Sequence, residues 1–572
     1  MTGRTRTAPE SGWPSPRPSR LSQGLPSPRP SPASGRGRVI ACVCLLLSAT
    51  AHAAGGPDIA AATKKVDGLL DAWRFGEADA ALAALRKTAP NAPEVQYLDG
   101  YSRFMHGDYD GAARALATAA QAPGASPDVK MLADLAREAR DAIKDHKEER
   151  SPHIVIRYPA EDAVLVPYAR DTLEAAYQAL HDDLGFDAEI PIRVEFYRSP
   201  SDLASVSSLS QAEVARTGTI ALCKWARLMV TTPRALAYGY PWLDSMNHEL
   251  VHYAVSTLSG DRAPVWLQEG LAKFLERRWR EPAGGRIPPS MEHLLAKALR
   301  SGRLISFEAM HPSMAKLPSA EDATLAFAEV ENAIAYLHSK GGMAALRDAI
   351  ARVAAGQDAR EAVAAAAGES WPQFERGWRA FMVAQHYKTF PAIDIATTHI
   401  RKANAIASGR KPAEEDALSA TLKGSAPYRF LRLGNMLLAR ERPRAAAAEY
   451  EKGAKAIGTG AHGDPSSGWI FPVKLGRTYL ALGEPDKALK ALGSVQTIYP
   501  DLPWPHLIAG QAHLAMGDAA GAVDLLRASI AENPFDPRVH CALAEAYGRV
   551  KGSSAELVQR EQRFCKDLNS GD

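Results

Sequence analysis

Apolar residues recur every three or four positions along most of the chain, which predicts a mostly helical protein. Strands are predicted at residues 153–158 and 192–197, and a strand pair at 218–232. A long helix is predicted over 164–184, between the first two strands. After residue 276 the pattern is helical, with helices predicted over 290–300, 323–340, 344–355 and 371–385. Strands followed by helices indicate an α+β domain, for which we predict the bounds 151–388.

Helical repeats are predicted on both sides of this central region. Within 57–147, an apolar helix, a Gly-Glu or Gly-Asp pair and an Ala-rich helix occur twice, with Gly76 and Gly107 31 residues apart. Within 426–567, a 34-residue period separates Gly476 from Gly510, Gly483 from Gly517 and Pro500 from Pro534. Both blocks resemble tetratricopeptide repeats, which stack helix pairs into a concave surface for a protein partner. The polar stretch 389–425 is predicted to be a linker.

The first 54 residues have the composition of a targeting segment. Residues 1–38 are rich in Pro, Ser and Arg and cannot form a core. Val39–Ala49 is an apolar run too short to cross a bilayer, and Ala51-His52-Ala53 follows it as an A-x-A cleavage pattern. We therefore expect a signal peptide that ends near Ala53. The implied location is the periplasm or exterior of a bacterium, with no stable transmembrane segment after cleavage.

The charge balance argues against nucleic acid as a partner. The formal net charge is +3, but seven of the 68 basic residues and one of the 65 acidic residues precede residue 54. The remaining chain carries 61 basic and 64 acidic residues and is slightly acidic. Nucleic-acid binding needs a clustered positive field, and the sequence shows none.

The chain has five cysteines, of which Cys42 and Cys44 lie in the predicted signal peptide. Cys541 and Cys565 lie in neighbouring predicted helices, and the sequence leaves open a disulfide or two buried free thiols. The fifth cysteine is Cys223, in the predicted strand pair 218–232. The sequence has no C-x-x-C, so it indicates neither a zinc ribbon nor a thioredoxin-type site.

The candidate chemistry concentrates in residues 248–276. An amphipathic helix carries His248-Glu249-Leu250-Val251-His252, and positions i and i+4 share one helix face, so both imidazoles can bind one metal ion. Gly260 is a predicted helix stop, and a second apolar helix over 265–279 carries Glu269 in its first turns. A catalytic zinc site has three protein ligands and an open fourth position. Two histidines and a carboxylate from a second helix meet that requirement.

The run H-E-L-V-H followed by W-L-Q-E-G-L-A-K-F-L-E resembles the peptidase MA-like superfamily, in its gluzincin branch of zinc metallopeptidases. The resemblance extends over about 151–385. It implies a zincin-like α+β fold, with zinc held by His248, His252 and Glu269. It also implies Glu249 as the general base in the hydrolysis of a peptide or protein substrate.

Further site residues follow from the same resemblance. Such peptidases commonly bind the oxyanion through a tyrosine or histidine on a later helix, and this chain has Phe327 where that hydroxyl is expected. Tyr336 and His338 are the nearest substitutes along the sequence. Zinc-bound histidines usually donate their other N–H to a carboxylate or carbonyl, and Glu276 and Glu331 are the candidates for that role.

Two functions remain open at this point. The first is an exported zinc metallopeptidase whose repeats bind substrate or a protein partner. The second is a non-catalytic repeat scaffold that carries an inactive peptidase-like domain. The intact set of His248, Glu249, His252 and Glu269 favours the enzyme, whereas Phe327 and the repeats favour the scaffold.

Overall fold

The computed structural model describes residues 59–236, 239–311, 313–314, 317–390, 422, 424–459, 468–493 and 495–570. The predicted leader and signal peptide, and nearly all of the predicted linker 389–425, lie outside the described residues. The protein is mostly helical, as the sequence predicted, and its strands form one small mixed sheet. Within the described ranges, no helix has the length and apolar character needed to cross a membrane.

The N-terminal block consists of antiparallel helices that pack in pairs. It contains α1 (Ile59–Asp71), α2 (Phe75–Thr88), α3 (Pro93–His106), α4 (Tyr109–Ala120) and α5 (Pro127–Ile143). The apolar face of each helix is buried in the pair, as with Leu70 on α1 and Phe104 on α3, both fully buried.

The turns of the first two helix pairs are 34 residues apart, not 31. Gly107 ends α3 in the left-handed conformation (φ 79°), and the N–H of Asp108 donates to the carbonyl of Arg103. Trp73 takes the equivalent position after α1 with φ 58°, and the N–H of Arg74 donates to the carbonyl of Leu69. Gly76 lies inside α2 and does not form the turn. A tryptophan therefore occupies the position where a glycine is expected. For this reason the 34-residue period cannot be recognised from the spacing of glycines in the sequence.

The sheet has five strands in the order β1-β2-β3-β5-β4. The pairs β2–β3 and β3–β5 are parallel, and the outer pairs β1–β2 and β5–β4 are antiparallel. Both β3 and β5 are buried along their whole length, as expected for strands covered on both faces. The strand bounds are β1 Lys147–Arg150, β2 Ile154–Tyr158, β3 Ile192–Tyr197, β4 Ala221–Lys224 and β5 Arg227–Thr231.

Helices cover and extend this sheet. The predicted helices over 323–340 and 344–355 form one element, α12, with a break where Gly341 and Gly342 leave helical geometry. The helix predicted over 265–279 ends at Leu275. The bounds are α6 Val166–Leu184, α7 Pro200–Ser205, α8 Gln211–Thr217, α9 Trp242–Ser259, α10 Val265–Leu275, α11 Pro289–Ser301, α12 Ala320–Ala354, α13 Ala359–Ala366 and α14 Trp371–Ala384.

The C-terminal helices form further antiparallel pairs. A Cβ at Gly510 would lie 2.7 Å from Cγ of Leu526, so this glycine allows the two helices of its pair to pack closely. Cys541 and Cys565 form a disulfide between the last two helices. The bounds are α15 Tyr428–Leu438, α16 Pro443–Thr459, α17 Ile470–Ala481, α18 Pro485–Leu492, α19 Val495–Ile498, α20 Pro503–Ala515, α21 Ala519–Glu532, α22 Pro537–Arg549 and α23 Ala555–Ser570.

Both helical blocks pack against the α+β domain. The N-terminal helices share one continuous hydrophobic core with the sheet. Within that core, the Tyr109 hydroxyl donates to Glu195 at 2.7 Å and accepts from Arg227 at 2.7 Å. On the other side, the Trp242 indole N–H donates to the carbonyl of Ile530 on α21 at 2.9 Å. The start of α9 is thus held against the C-terminal helices.

Candidate metal centre

Helices α9 and α10 bring the predicted metal ligands together. In α9, Met246, Leu250 and Tyr253 are buried on the core side, while the two motif histidines are only partly buried. The helix ends at Gly260, whose φ of 60° reverses the chain into a short loop. Pro264 then precedes the first residue of α10, and its carbonyl accepts the N–H groups that begin that helix.

Three ligand atoms converge between the two helices. Nε2 of His248 lies 3.1 Å from Nε2 of His252 and 3.2 Å from Oε2 of Glu269. Nε2 of His252 lies 3.4 Å from the same oxygen. A tetrahedral zinc ion with bonds of about 2.0–2.1 Å places its ligand atoms about 3.3 Å apart. The separations in the protein match that spacing.

The hydrogen bonds of the two imidazoles also fit a metal site. Nδ1 of His248 lies 3.0 Å from Oε2 of Glu276, and Nδ1 of His252 lies 3.2 Å from Oε1 of Gln268. Both partners are acceptors, so each Nδ1 can donate a proton while the two Nε2 atoms face Glu269 and one another. With each Nε2 unprotonated, these two nitrogens and the Glu269 carboxylate would bind one cation between them. Among the described residues, these three form the one group with metal-binding geometry.

The ionisable groups of the site create an environment that favours positive charge. Burial works against ionisation of Glu269, but attraction to His252 and hydrogen bonds from both histidines hold its pKa well below the usual range. Burial also works against protonation of His248, yet its hydrogen bonds to Glu269 and Glu276 raise its pKa to about 10. The negative charges of Glu269 and Glu276 favour protonation of His248, and the same charges would favour a divalent metal ion at this place.

Glu249 lies beside the three ligands and points toward the edge of the sheet. Its side chain is buried, and burial raises its pKa. The backbone of Cys223, on the outer strand β4, hydrogen-bonds to its carboxylate. Glu249 is thus a buried carboxylate between the candidate ligands and the outer strand of the sheet.

The comparisons with known families agree with this geometry. Residues 172–384 match the family model of the Peptidase MA superfamily, and this range contains both motif histidines, Glu249 and Glu269. The chain carries a Peptidase MA superfamily domain. Residues 473–546 match a tetratricopeptide repeat. The predicted family and fold class are therefore confirmed. No curated protein matches the chain.

The Peptidase MA domain surrounds the ligands with outer hydrogen-bond partners, one of which the sequence indicated. Glu276 accepts from His248, and Nζ of Lys273 donates to its other oxygen at 2.6 Å. Burial opposes ionisation of Glu276, but Lys273 and His248 hold its pKa at about 2. Glu331 lies close enough to be attracted by Lys273, and burial raises its pKa to about 7. No direct contact joins Glu331 to His248 among the hydrogen bonds described.

A second chain of outer contacts was missed in the sequence. Gln268 accepts from His252 and donates through Nε2 to Oγ of Ser256 at 3.2 Å. The Ser256 hydroxyl donates in turn to Oδ1 of Asp261 at 3.0 Å. Gln268 could have been noticed in the sequence, because it is a polar residue directly before Glu269 in the otherwise apolar start of α10.

Tyr336 and His338 lie away from the ligands of the Peptidase MA domain. The Tyr336 hydroxyl donates to Glu369 at 3.0 Å, and its ring packs against Phe374. The His338 ring packs against Phe274, with ring centroids 5.2 Å apart. Phe327 is partly buried against the core. The expectation that Tyr336 or His338 supplies an oxyanion donor therefore finds no support in their positions, because α12 turns both toward other helices.

Proposed function

We propose that this chain is a zinc-dependent metallopeptidase that hydrolyses peptide bonds in a peptide or protein substrate. The observation that carries the proposal is the convergence of His248, His252 and Glu269 at tetrahedral spacing, with Glu249 beside them. Membership of residues 172–384 in the Peptidase MA superfamily, which is typically zinc-dependent, supports it.

The side chains divide the chemistry between them. His248, His252 and Glu269 would hold the zinc ion, which when bound supplies the Lewis acidity that activates water and polarises a carbonyl. Glu249 takes a proton from the attacking water and delivers it to the departing amine as the peptide bond breaks. Glu276 and Gln268 fix the two imidazole rings through their Nδ1 protons, so that both Nε2 atoms stay directed at one point.

We further propose that the protein is exported and that its repeats bind the substrate or a protein partner. The export proposal rests on the apolar run and the A-x-A pattern that ends at Ala53. A disulfide between Cys541 and Cys565 suits an oxidising compartment. Tetratricopeptide repeats commonly serve as protein-binding surfaces, in keeping with the match over 473–546.

A non-catalytic scaffold is the second candidate. It is favoured by Phe327, which offers no hydroxyl, and by the engagement of Tyr336 with Glu369. In this alternative the metal would stabilise the fold, and the repeats would carry the function.

The deciding experiment measures zinc content and peptide cleavage for the wild-type chain and for Glu249→Gln. Glu361→Gln serves as the matched control, because Glu361 is an exposed carboxylate in the same Peptidase MA domain. We expect about one zinc per chain in all three proteins, with cleavage lost only in Glu249→Gln.

The two candidates predict different results. Cleavage that survives in Glu249→Gln would remove Glu249 from the mechanism. Zinc binding without cleavage by the wild type would favour the scaffold. A wild-type chain that binds no zinc would overturn the metal centre itself.

A further inference from the structure

A cavity of about 820 Å³ lies between the N-terminal repeats and the Peptidase MA domain. Asp71, Trp73 and Tyr101 of the repeats form one wall. The facing wall is formed by Cys223 and Lys224 of β4 and by the loop that joins α9 to α10. This cavity was not predicted from the sequence, because its two walls come from separate parts of the chain.

The cavity is open to solvent and large enough for a side chain together with its backbone. Gln357 and Asp358 at its margin are exposed. Its remaining surface is partly aromatic, with Trp225 and Trp266 among the lining residues. Aromatic walls suit the aliphatic stem of a long side chain, whether apolar or cationic.

The positive groups of the cavity are largely engaged by the protein itself. Arg360 pairs with Glu308, and Arg262 donates to the carbonyl of Ala354. Nζ of Lys224 donates to Oγ of Ser208 at 3.2 Å and is also attracted by Asp261. The cavity is also lined by an exposed histidine, His311.

Two carboxylates of the cavity receive hydrogen bonds only from hydroxyl groups in the described structure. The Tyr101 hydroxyl donates to Asp71 at 3.3 Å, and the Ser256 hydroxyl donates to Asp261 at 3.0 Å. Burial raises the pKa of Asp71. Burial raises the pKa of Asp261 to about 6, with a further contribution from the nearby Asp71 and against the opposing effects of the Ser256 hydrogen bond and the Lys224 charge. A cationic group placed between them would relieve both effects.

The cavity is connected to the candidate metal centre by two routes. Asp261 leads through Ser256 and Gln268 to His252, by hydrogen bonds of 3.0, 3.2 and 3.2 Å. The outer strand β4 contributes Cys223 to the cavity, and the backbone of that residue contacts Glu249. An extended polypeptide bound along the outer strand β4 would therefore pass Glu249 and place a neighbouring side chain in the cavity.

We propose that this cavity is a substrate subsite that accepts a lysine or arginine side chain between Asp71 of the N-terminal repeats and Asp261 of the Peptidase MA domain. The inference rests on the proposed peptidase function and adds a substrate class to it. The first helical repeat is then part of the substrate-binding site, and it selects basic residues beside the bond that is cleaved.

The test measures peptide binding to the zinc-loaded full chain carrying Glu249→Gln, so that no probe is cleaved. The probes are fluorescein-labelled decapeptides of Ala, Ser and Gly with one arginine at a varied position, each paired with a citrulline peptide of the same shape and no charge. Fluorescence anisotropy gives the dissociation constant of each pair. At one position we expect arginine to bind about fivefold or more tightly than citrulline.

The matched variants decide which carboxylate is responsible. Asp71→Asn keeps the hydrogen bond with Tyr101 and removes the charge, so the preference for arginine should fall to about twofold or less. Asp110→Asn removes an exposed carboxylate of the same repeats and should leave the preference intact. Equal binding of the arginine and citrulline peptides, or a preference that Asp71→Asn does not reduce, would overturn the subsite.

The failure of the subsite and the failure of the peptidase function give different results. If the wild-type chain cleaves no peptide but the arginine preference is present and depends on Asp71, the cavity binds basic peptides and the peptidase proposal is wrong. If the wild type cleaves peptides and Asp71→Asn leaves KM for arginine and citrulline peptides unchanged, the peptidase stands and the subsite is wrong.

Discussion

Oε1 of Gln268 lies 3.2 Å from Nδ1 of His252, on the opposite side of the imidazole from the converging ligand atoms. The other histidine has an acceptor at the same ring nitrogen, since Oε2 of Glu276 lies 3.0 Å from Nδ1 of His248. One imidazole is thus fixed by a neutral amide and the other by a carboxylate. Since both acceptors come from α10 or its last turn, that helix carries one candidate ligand and orients the other two.

Gln268→Leu should weaken zinc binding about 10- to 100-fold, because it removes the acceptor that fixes the tautomer and orientation of His252. Gln268→Glu keeps an acceptor and should remain near the wild type. Gln178→Leu, on the exposed surface of α6, is the control. Zinc affinity is measured by competition with a chromogenic chelator. Equal affinities for Gln268→Leu and the control would remove Gln268 from the metal centre.

The sequence indicated the candidate metal ligands because their arrangement is local. His248 and His252 are one helical turn apart, and Glu269 follows on the next helix, so the pattern needs no knowledge of distant contacts. Glu276 was named together with Glu331 as a candidate partner of the histidines, from the resemblance to the superfamily. Gln268 was not, because its role depends on how α10 crosses α9.

The sequence was least informative where distant elements meet. Tyr336 and His338 were chosen for their nearness along the chain, but the rotation of α12 turns Tyr336 toward Glu369 on the segment before α14. The turn at Trp73 was missed because left-handed turns are usually read from glycine, and here the packing of the indole against Tyr253 accompanies a φ of 58°. The cavity between the repeats and β4 could not be predicted, because its walls come from two parts of the chain that meet only in the folded structure.

Tyr109→Phe should lower the free energy of unfolding by about 1–3 kcal/mol, because it leaves a buried acceptor on Glu195 and a buried donor on Arg227 with one partner fewer. Urea unfolding followed by tryptophan fluorescence measures the effect. Tyr158→Phe, on a partly exposed tyrosine of β2, is the control. An unchanged stability for Tyr109→Phe would show that this hydroxyl does not help to hold the repeats on the sheet.

We expect Glu329 to make the stability of the domain dependent on pH. Burial, opposed by hydrogen bonds from the Ile305 N–H, raises the pKa of this fully buried carboxyl from 4.5 to about 8. The folded state then holds the proton more tightly than the unfolded state, so this contribution to stability is complete below about pH 4.5 and is lost as the pH rises through about 8.

Glu329→Gln replaces the carboxyl by a neutral amide that can still accept from Ile305. We expect little difference from the wild type at pH 5 and a variant more stable by about 1–3 kcal/mol at pH 9. Glu321→Gln, on the exposed start of the same helix, should show no such trend. Urea unfolding across this pH range gives both values. A constant difference from pH 5 to 9 would contradict the raised pKa.

The disulfide between Cys541 and Cys565 closes a loop of 24 residues and joins α22 to α23. Replacement of both cysteines by serine should lower the free energy of unfolding of the C-terminal helices by about 3 kcal/mol, mainly because the unfolded chain gains freedom. Reduction of the wild type with a phosphine should produce a similar loss, and the serine variant should not respond to it. If the wild type is equally insensitive, the two thiols are not bridged in the protein, and one argument for an oxidising compartment is removed.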